Sequence, residues 1–161
     1  MRSLACLLVL VGAQATAADW WMITPASSNP QVVEMGDAAS IRTEGRLISI
    51  WTHRFYAVPD RRVKSALLHY QVDCDRRATR EGRFIDFDAS LKTIESGGDS
   101  EANNWIDIAP DTVGDRIVTF ACASPAYRKQ HFIKVRAGQD YRAVASFFLE
   151  SGELVGLRKK K

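Results

Sequence analysis

The stretch Ser65 to Asp75, which reads SALLHYQVDCD, decides the fold of this chain. It combines β-forming residues with an alternation of more and less apolar side chains, which is typical of a strand with one buried face. The more apolar face holds Leu68, Tyr70, Val72 and Cys74, and the other holds Leu67, His69, Gln71 and Asp73. The strand is therefore predicted to aim Cys74 into the core.

The first residues predict a targeting segment. Arg2 precedes the apolar run Leu4 to Val11, and Ala15 to Ala17 has the small-residue pattern of a signal-peptidase site. Neither this run nor any later stretch is long enough to span a bilayer. We therefore predict that residues 1–17 are a cleaved signal peptide, with a buried N-terminal helix as the alternative. Cys6 does not lie in a lipobox, and the exported protein is expected in the periplasm, outside the cell or at its surface.

Loss of Cys6 with the signal peptide leaves Cys74 and Cys122, which permit only one intramolecular pairing. An exported protein meets an oxidising compartment, so a disulfide is predicted. Two buried free thiols are the alternative.

The positive charge of the chain comes mainly from its end. The whole sequence has 22 basic and 19 acidic residues, for a net charge of +3. Without Arg2 and the tail Arg158 to Lys161, 17 basic residues remain against the same 19 acidic ones. A near-neutral body argues against nucleic-acid binding, which requires a basic patch on the fold itself. We predict a single domain over residues 18–157, followed by a basic tail at 158–161.

The remaining pattern predicts an α+β fold with a mostly antiparallel sheet, one or two packed helices and one disulfide. Arg46 to Tyr56 is the strongest strand pattern, and the apolar residues on both of its faces indicate a central strand that is partly covered on both sides. Trp20 and Trp21 are interpreted as residues on opposite faces of a first strand rather than as a binding platform. Further short strands are expected near residues 38–42, 84–87, 90–95 and 131–136, and residues 76–83 are expected to form a turn.

Two segments predict helices. Asp111 or Thr112 can cap a helix that ends at Cys122, because Val113, Ile117, Phe120 and Ala121 recur at helical spacing. The β-branched residues 117–119 leave a strand as the alternative there. Residues 138–150 also have helical spacing, although Phe147 to Leu149 would suit a strand equally well.

The sequence contains no recognisable catalytic or metal-binding motif. His53, His69 and His131 do not have metal-ligand spacing, and each is interpreted as a half-buried strand residue. Gly98-Asp99-Ser100 has the look of an esterase nucleophile block, but the base and acid that such a nucleophile needs are missing. We predict no catalytic residue, no metal and no cofactor.

Seven basic residues form two clusters at opposite ends of the Val63 to Asp75 strand. They are Arg61, Arg62 and Lys64 at one end, and Arg76, Arg77, Arg80 and Arg83 at the other. A basic rim of this kind can bind an acidic glycan or an acidic protein surface. The alternative is ordinary solubility charge, balanced by neighbouring acidic residues.

Four sequence features resemble the surface-adhesin protein E family of Gram-negative bacteria. They are Trp51 in a central strand, DCDRR at 73–77, WIDIAPDT at 105–112 and IVTFAC at 117–122, and the similarity extends over roughly residues 19–124. The resemblance implies a small α+β domain with an antiparallel sheet and a Cys74–Cys122 bridge. It also implies a non-enzymatic role in binding host matrix or serum proteins, with a homodimer as one arrangement.

These observations favour an exported, non-catalytic binding domain whose ligand is a protein or an acidic glycan. Two alternatives remain open at this stage. One is a small periplasmic hydrolase with an unrecognised site, and the other is a structural or inhibitory envelope factor.

Overall fold

The described part of the chain forms nine strands in one antiparallel sheet, together with three helices. The computed structural model describes residues 17–24, 32–60, 62–98 and 104–151, with residues 58–60 and 151 described by backbone only. The predicted signal peptide up to Thr16, Arg61 and the basic tail lie outside these residues.

The strands are β1 (Trp20–Met22), β2 (Val32–Asp37), β3 (Arg42–Glu44), β4 (Leu47–Asp60), β5 (Val63–Asp73), β6 (Ala78–Phe87), β7 (Thr93–Gly97), β8 (Ile106–Asp107) and β9 (Ile133–Lys134). The helices are α1 (Val113–Cys122), α2 (Pro125–His131) and α3 (Tyr141–Ser151). The sheet order is β7-β6-β5-β4-β2-β1-β9, with β3 beside β4 and β8 beside β6. The predicted α+β class with a mostly antiparallel sheet is confirmed, and α2 is one helix more than the sequence indicated.

The two long strands β4 and β5 form the centre of the sheet. Their pairing sets Ile50 opposite Tyr70 and Trp51 opposite His69, so successive residues face opposite sides of the sheet. The side that carries Ile50 is covered by α1 and is called the α1 face. The side that carries Trp51, His53 and Phe55 is partly covered by α3 and is called the α3 face. Both faces of β4 are buried along part of its length, as its sequence pattern predicts.

The α1 face contains the larger apolar cluster. Its sheet residues include Ile50, Leu68, Tyr70 and Val72, and its helix residues are Ile117, Val118, Phe120 and Ala121. Gly36 allows the close approach of helix and sheet, because a Cβ there would lie 2.5 Å from Ile23 Cδ1 and 2.9 Å from Phe120 Cε1. The hydroxyl oxygen of Thr112 accepts a hydrogen bond from the Asp115 amide at 3.1 Å and caps α1. The helical interpretation of this segment is confirmed and the strand alternative is wrong.

A disulfide fastens α1 to the central strands. Cys74 follows β5 directly and Cys122 is the last residue of α1, and their sulfurs are bonded with the Cα atoms 5.9 Å apart. Arg77, in the same turn as Cys74, forms an ion pair with Asp115 in the first turn of α1. The turn after β5 is therefore tied to both ends of the helix.

The α1 face also contains a fully buried carboxylate. Glu34 accepts a hydrogen bond from Arg54 Nε at 2.7 Å and another from the Thr52 hydroxyl. Arg54 Nη2 donates to the Tyr70 hydroxyl at 3.0 Å. Burial opposes the charge on Arg54, but the Glu34 carboxylate outweighs it and raises the pKa of Arg54. Because the ion pair is internally satisfied, we interpret it as structural.

Several local predictions differ from the structure. Residues 78–83 are not a turn, because β6 begins at Ala78 and pairs with β5, which buries Ala78 and Thr79. Residues 38–40 form a short 3₁₀ turn that precedes β3, with the Asp37 carboxylate accepting from the Ala39 amide at 3.0 Å. His131 ends α2 rather than starting a strand, and β9 is confined to two residues.

The first prediction concerns the disulfide. The variant Cys74→Ala/Cys122→Ala should lose about 4 kcal/mol of unfolding free energy, because the bridge closes a long loop in the unfolded chain. The two cysteines are 48 residues apart. Urea unfolding of the variant and the parent measures the difference, and equal midpoints and slopes would contradict the prediction.

The second prediction concerns His53, which is completely buried beneath α3. Its Nδ1 lies 2.9 Å from the Tyr141 hydroxyl oxygen, and burial, followed by nearby Arg142, lowers its pKa from 6.5 to about 3. In the unfolded chain the pKa returns to its ordinary value, so the unfolded state binds the proton first as pH falls. The contribution of neutral His53 to stability is complete above pH 6.5 and decreases towards pH 3, by up to about 1.4 kcal/mol per pH unit.

The variant His53→Gln should therefore show a shallower loss of stability between neutral pH and pH values near 4.5 than the parent. Urea unfolding at several pH values measures this slope, with His131→Gln on the exposed end of α2 as the matched control. Parallel pH profiles for the parent and the His53 variant would contradict the prediction.

Candidate functional site

The predicted basic residues do not form one cluster. Arg62 lies in the turn before β5 and Lys64 near the start of that strand, whereas Arg76 and Arg77 lie in the turn after it. At strand spacing the eleven residues of β5 separate the two turns by roughly 33 Å. The two ends could therefore contact one ligand together only if it were large or extended.

Two of these arginines are engaged within the fold. Arg76 Nη2 forms an ion pair with Asp107 at 2.8 Å, between the turn and β8. Arg77 pairs with Asp115 and also donates to the Thr119 hydroxyl at 3.2 Å. Since both partners are local carboxylates, these residues are less available to an external anion than their positions in the sequence suggest.

Arg80 and Arg83 instead lie on the α3 face, where Arg80 contacts an aromatic ring and the charge of Arg83 acts on His69. Arg80 pairs in register with Gln71, and its Nε donates to Gln71 Oε1 at 3.0 Å. The Arg80 guanidinium also lies 5.2 Å from the centre of the Trp105 ring. It is therefore oriented by two neighbours.

A bulge in β6 places Arg83 beside His69. Glu81 pairs with Tyr70 and Phe84 pairs with Leu68, so Gly82 and Arg83 lie together opposite His69. His69 contacts Trp51 on the neighbouring strand, with ring centroids 5.0 Å apart. Burial, followed by the charge of Arg83, lowers the pKa of His69, while Glu44 raises it. His69 is therefore biased towards its neutral form.

We call this surface the open patch and define it as Trp51, His69, Gln71, Arg80 and Arg83. Arg83 is exposed and the other four are half-buried. Among the described residues, α3 packs mainly on β2 and β4, whereas α1 packs on the opposite face of the sheet. The arrangement of the open patch can bind an anion through guanidinium groups and an apolar ring through Trp51.

The open patch was only partly visible in the sequence. Strand alternation places His69 and Gln71 on one face and predicts Trp51 in the core strand, and Arg80 and Arg83 were candidate ligand residues. The pairing of Trp51 with His69, the bulge at Arg83 and the contact with Trp105 depend on register and on a distant loop. No local signal specifies them.

The histidines differ from one another. His69 is half-buried in a strand as predicted, His53 is completely buried, and His131 is exposed and stacks on Tyr127 at 4.0 Å. Among the described residues, no three His, Cys, Asp or Glu side chains are grouped closely enough to hold a metal ion. In the same residues, no helix has the length and apolar character to cross a membrane.

The chain matches a known protein family. The family described as surface-adhesin protein E matches residues 20–123, about two thirds of the chain. The matched segment runs from the start of β1 to the end of α1 and contains both cysteines. No curated protein matches the chain.

The third prediction tests the electrostatics of the open patch. Replacing Arg83 with Gln should raise the pKa of His69, because it removes the positive charge that disfavours protonation. Two-dimensional NMR titration of the imidazole ring measures the change. The variant Arg76→Gln, whose charge lies in the turn after β5, should leave the His69 titration unchanged, and equal shifts in both variants would contradict the predicted contact.

Proposed function

Because this chain belongs to the surface-adhesin protein E family, we propose that it is an exported, disulfide-linked, non-catalytic domain that binds a protein or a glycan at the cell envelope. Family membership supports an adhesin-like role outside the cell or at its surface, and it suggests binding to host molecules rather than catalysis. Export through residues 1–17 and a homodimeric state are parts of the same proposal.

The observation that carries this proposal is the open patch. A half-buried Trp, a His biased towards neutrality and two arginines lie together on a rigid sheet. Aromatic and Arg side chains are enriched among residues that dominate binding energies. A preorganised surface loses little conformational freedom when a ligand binds.

The seven basic residues contribute unequally in this proposal. Arg80 and Arg83 contact the ligand directly because they border the aromatic residues of the open patch. Arg62 and Lys64 form a separate basic end that could attract a large ligand over distance, and Arg61 precedes them in the sequence. Arg76 and Arg77 mainly hold the turn against β8 and α1.

The fourth prediction is that the double variant Arg80→Gln/Arg83→Gln weakens ligand binding by about tenfold or more, because it removes the charges beside the aromatic residues. Binding of the full chain to immobilised host matrix proteins, serum proteins and glycans is measured by surface plasmon resonance. The melting temperature should change little, because Arg83 is exposed and the half-buried Arg80 loses only its contacts with Gln71 and Trp105.

A double variant with the same loss of charge, Lys92→Gln/Lys129→Gln, is the matched control. These lysines are exposed, in the β6–β7 loop and in α2. Equal binding by the patch variant and the parent would exclude the open patch as the binding surface. Failure of the parent to bind any protein or glycan offered would contradict the proposed function itself.

A further inference from the structure

We propose that the open patch binds an acidic polysaccharide, with a sugar ring packed on Trp51 and its carboxylate or sulfate groups held by Arg80 and Arg83. The inference rests on the proposed function and specifies its ligand. It follows from the kinds of chemical group that the patch presents and from those that it lacks.

The middle of the patch offers side chains rather than backbone groups. His69 and Gln71 lie on β5, which pairs with β4 along one edge and with β6 along the other. An extended peptide that adds to a sheet needs unpaired N–H and C=O groups at an edge. Since the backbone of β5 is already paired, recognition at His69 and Gln71 must use ring faces, amides and charges.

The arginines are suited to planar anions. Each guanidinium has a fork of N–H donors that matches two oxygens of a carboxylate or sulfate. Arg80 is held by Gln71 and Trp105, and none of the ion pairs among the described residues involves Arg83. Arg80 lies opposite Gln71, and Arg83 lies in the bulge opposite His69. The two arginines are therefore roughly 7 Å apart along the strand. Such spacing suits a chain that carries acidic groups at intervals.

The aromatic part of the patch distinguishes a sugar from a simple polyanion. Trp51 and His69 lie in contact at the centre, with polar ring nitrogens beside apolar ring faces. A pyranose ring presents an apolar C–H face together with hydroxyl groups at its rim. Neutral imidazole can both donate and accept hydrogen bonds with such hydroxyls, and the Gln71 NH2 group can donate, because Gln71 Oε1 already accepts from Arg80 Nε and Nη2.

The test uses the full chain and three probes: a sulfated heparin-derived hexasaccharide, the same hexasaccharide after desulfation and N-acetylation, and an oligoglutamate peptide of charge equal to the sulfated sugar. Isothermal titration calorimetry at near-physiological salt measures the affinities, because low salt would exaggerate charge effects. We expect the sulfated sugar to bind at least about tenfold more tightly than either other probe.

Variants at Arg83 and Trp51 separate the contribution of the guanidinium charge to the affinity from that of the aromatic ring. Arg83→Gln should weaken binding of the sulfated sugar about tenfold and make it less dependent on salt, since one ion contact is lost. Trp51→Leu should weaken it by a similar factor with the salt dependence unchanged, and Trp51→Phe should restore most of the affinity because a ring is retained. The matched control Lys129→Gln should change the affinity less than about twofold.

The outcomes distinguish this inference from the proposed function. If the oligoglutamate peptide binds as tightly as the sulfated sugar and depends on Arg83 but not on Trp51, the ligand class is wrong while a binding role for the patch stands. If the control variant weakens binding as much as Arg83→Gln, the interaction is non-specific and the inference fails. If Trp51→Leu does not fold, His69→Asn removes the other ring of the pair and should weaken binding of the sulfated sugar, whereas an unchanged affinity in that variant overturns the inference.

Discussion

The bond between Cys74 and Cys122 sets the geometry on which the rest of the structure depends. It joins the end of the central strand β5 to the last residue of α1. The C-terminal end of the helix is therefore held against the sheet at the turn after β5. The Arg77–Asp115 ion pair fixes the other end of α1 against the same turn. With the helix held there, Phe120 packs over Gly36, and the polar chain from Glu34 through Arg54 to Tyr70 is buried beside the apolar cluster.

The two faces of the sheet consequently have different roles. The α1 face is closed by apolar packing and by internally satisfied charges, which leaves little surface for a ligand. The α3 face is covered by α3 around β2 and Phe55 of β4, whereas Trp51, His69 and Arg80 are half-exposed and Arg83 is exposed. This division is consistent with a protein of an adhesin family, because binding requires a rigid accessible surface and no reaction chemistry. It also places the candidate surface away from the disulfide.

Local patterns predicted much of the architecture. Alternation identified the buried face of β5, since Leu68, Tyr70 and Val72 are all buried, and helical spacing with a Thr112 cap identified α1. The start of β6 was missed because Arg80, Glu81 and Arg83 make the segment polar, and only pairing with β5 makes it a strand. The buried Glu34 could not be recognised, because its partner Arg54 lies 20 residues away and their contact depends on strand register. The open patch was hidden for the same reason.

The position of α3 has a consequence for how the domain should be delimited. This helix begins 18 residues after the end of the family match, yet Ala145 and Phe148 cover an apolar strip formed by Met22, Val33, Met35 and Phe55. A polypeptide trimmed to the matched region would present that strip to water and would tend to self-associate. The segment that matches the family and the segment needed to cover the apolar strip are therefore different lengths of the same chain.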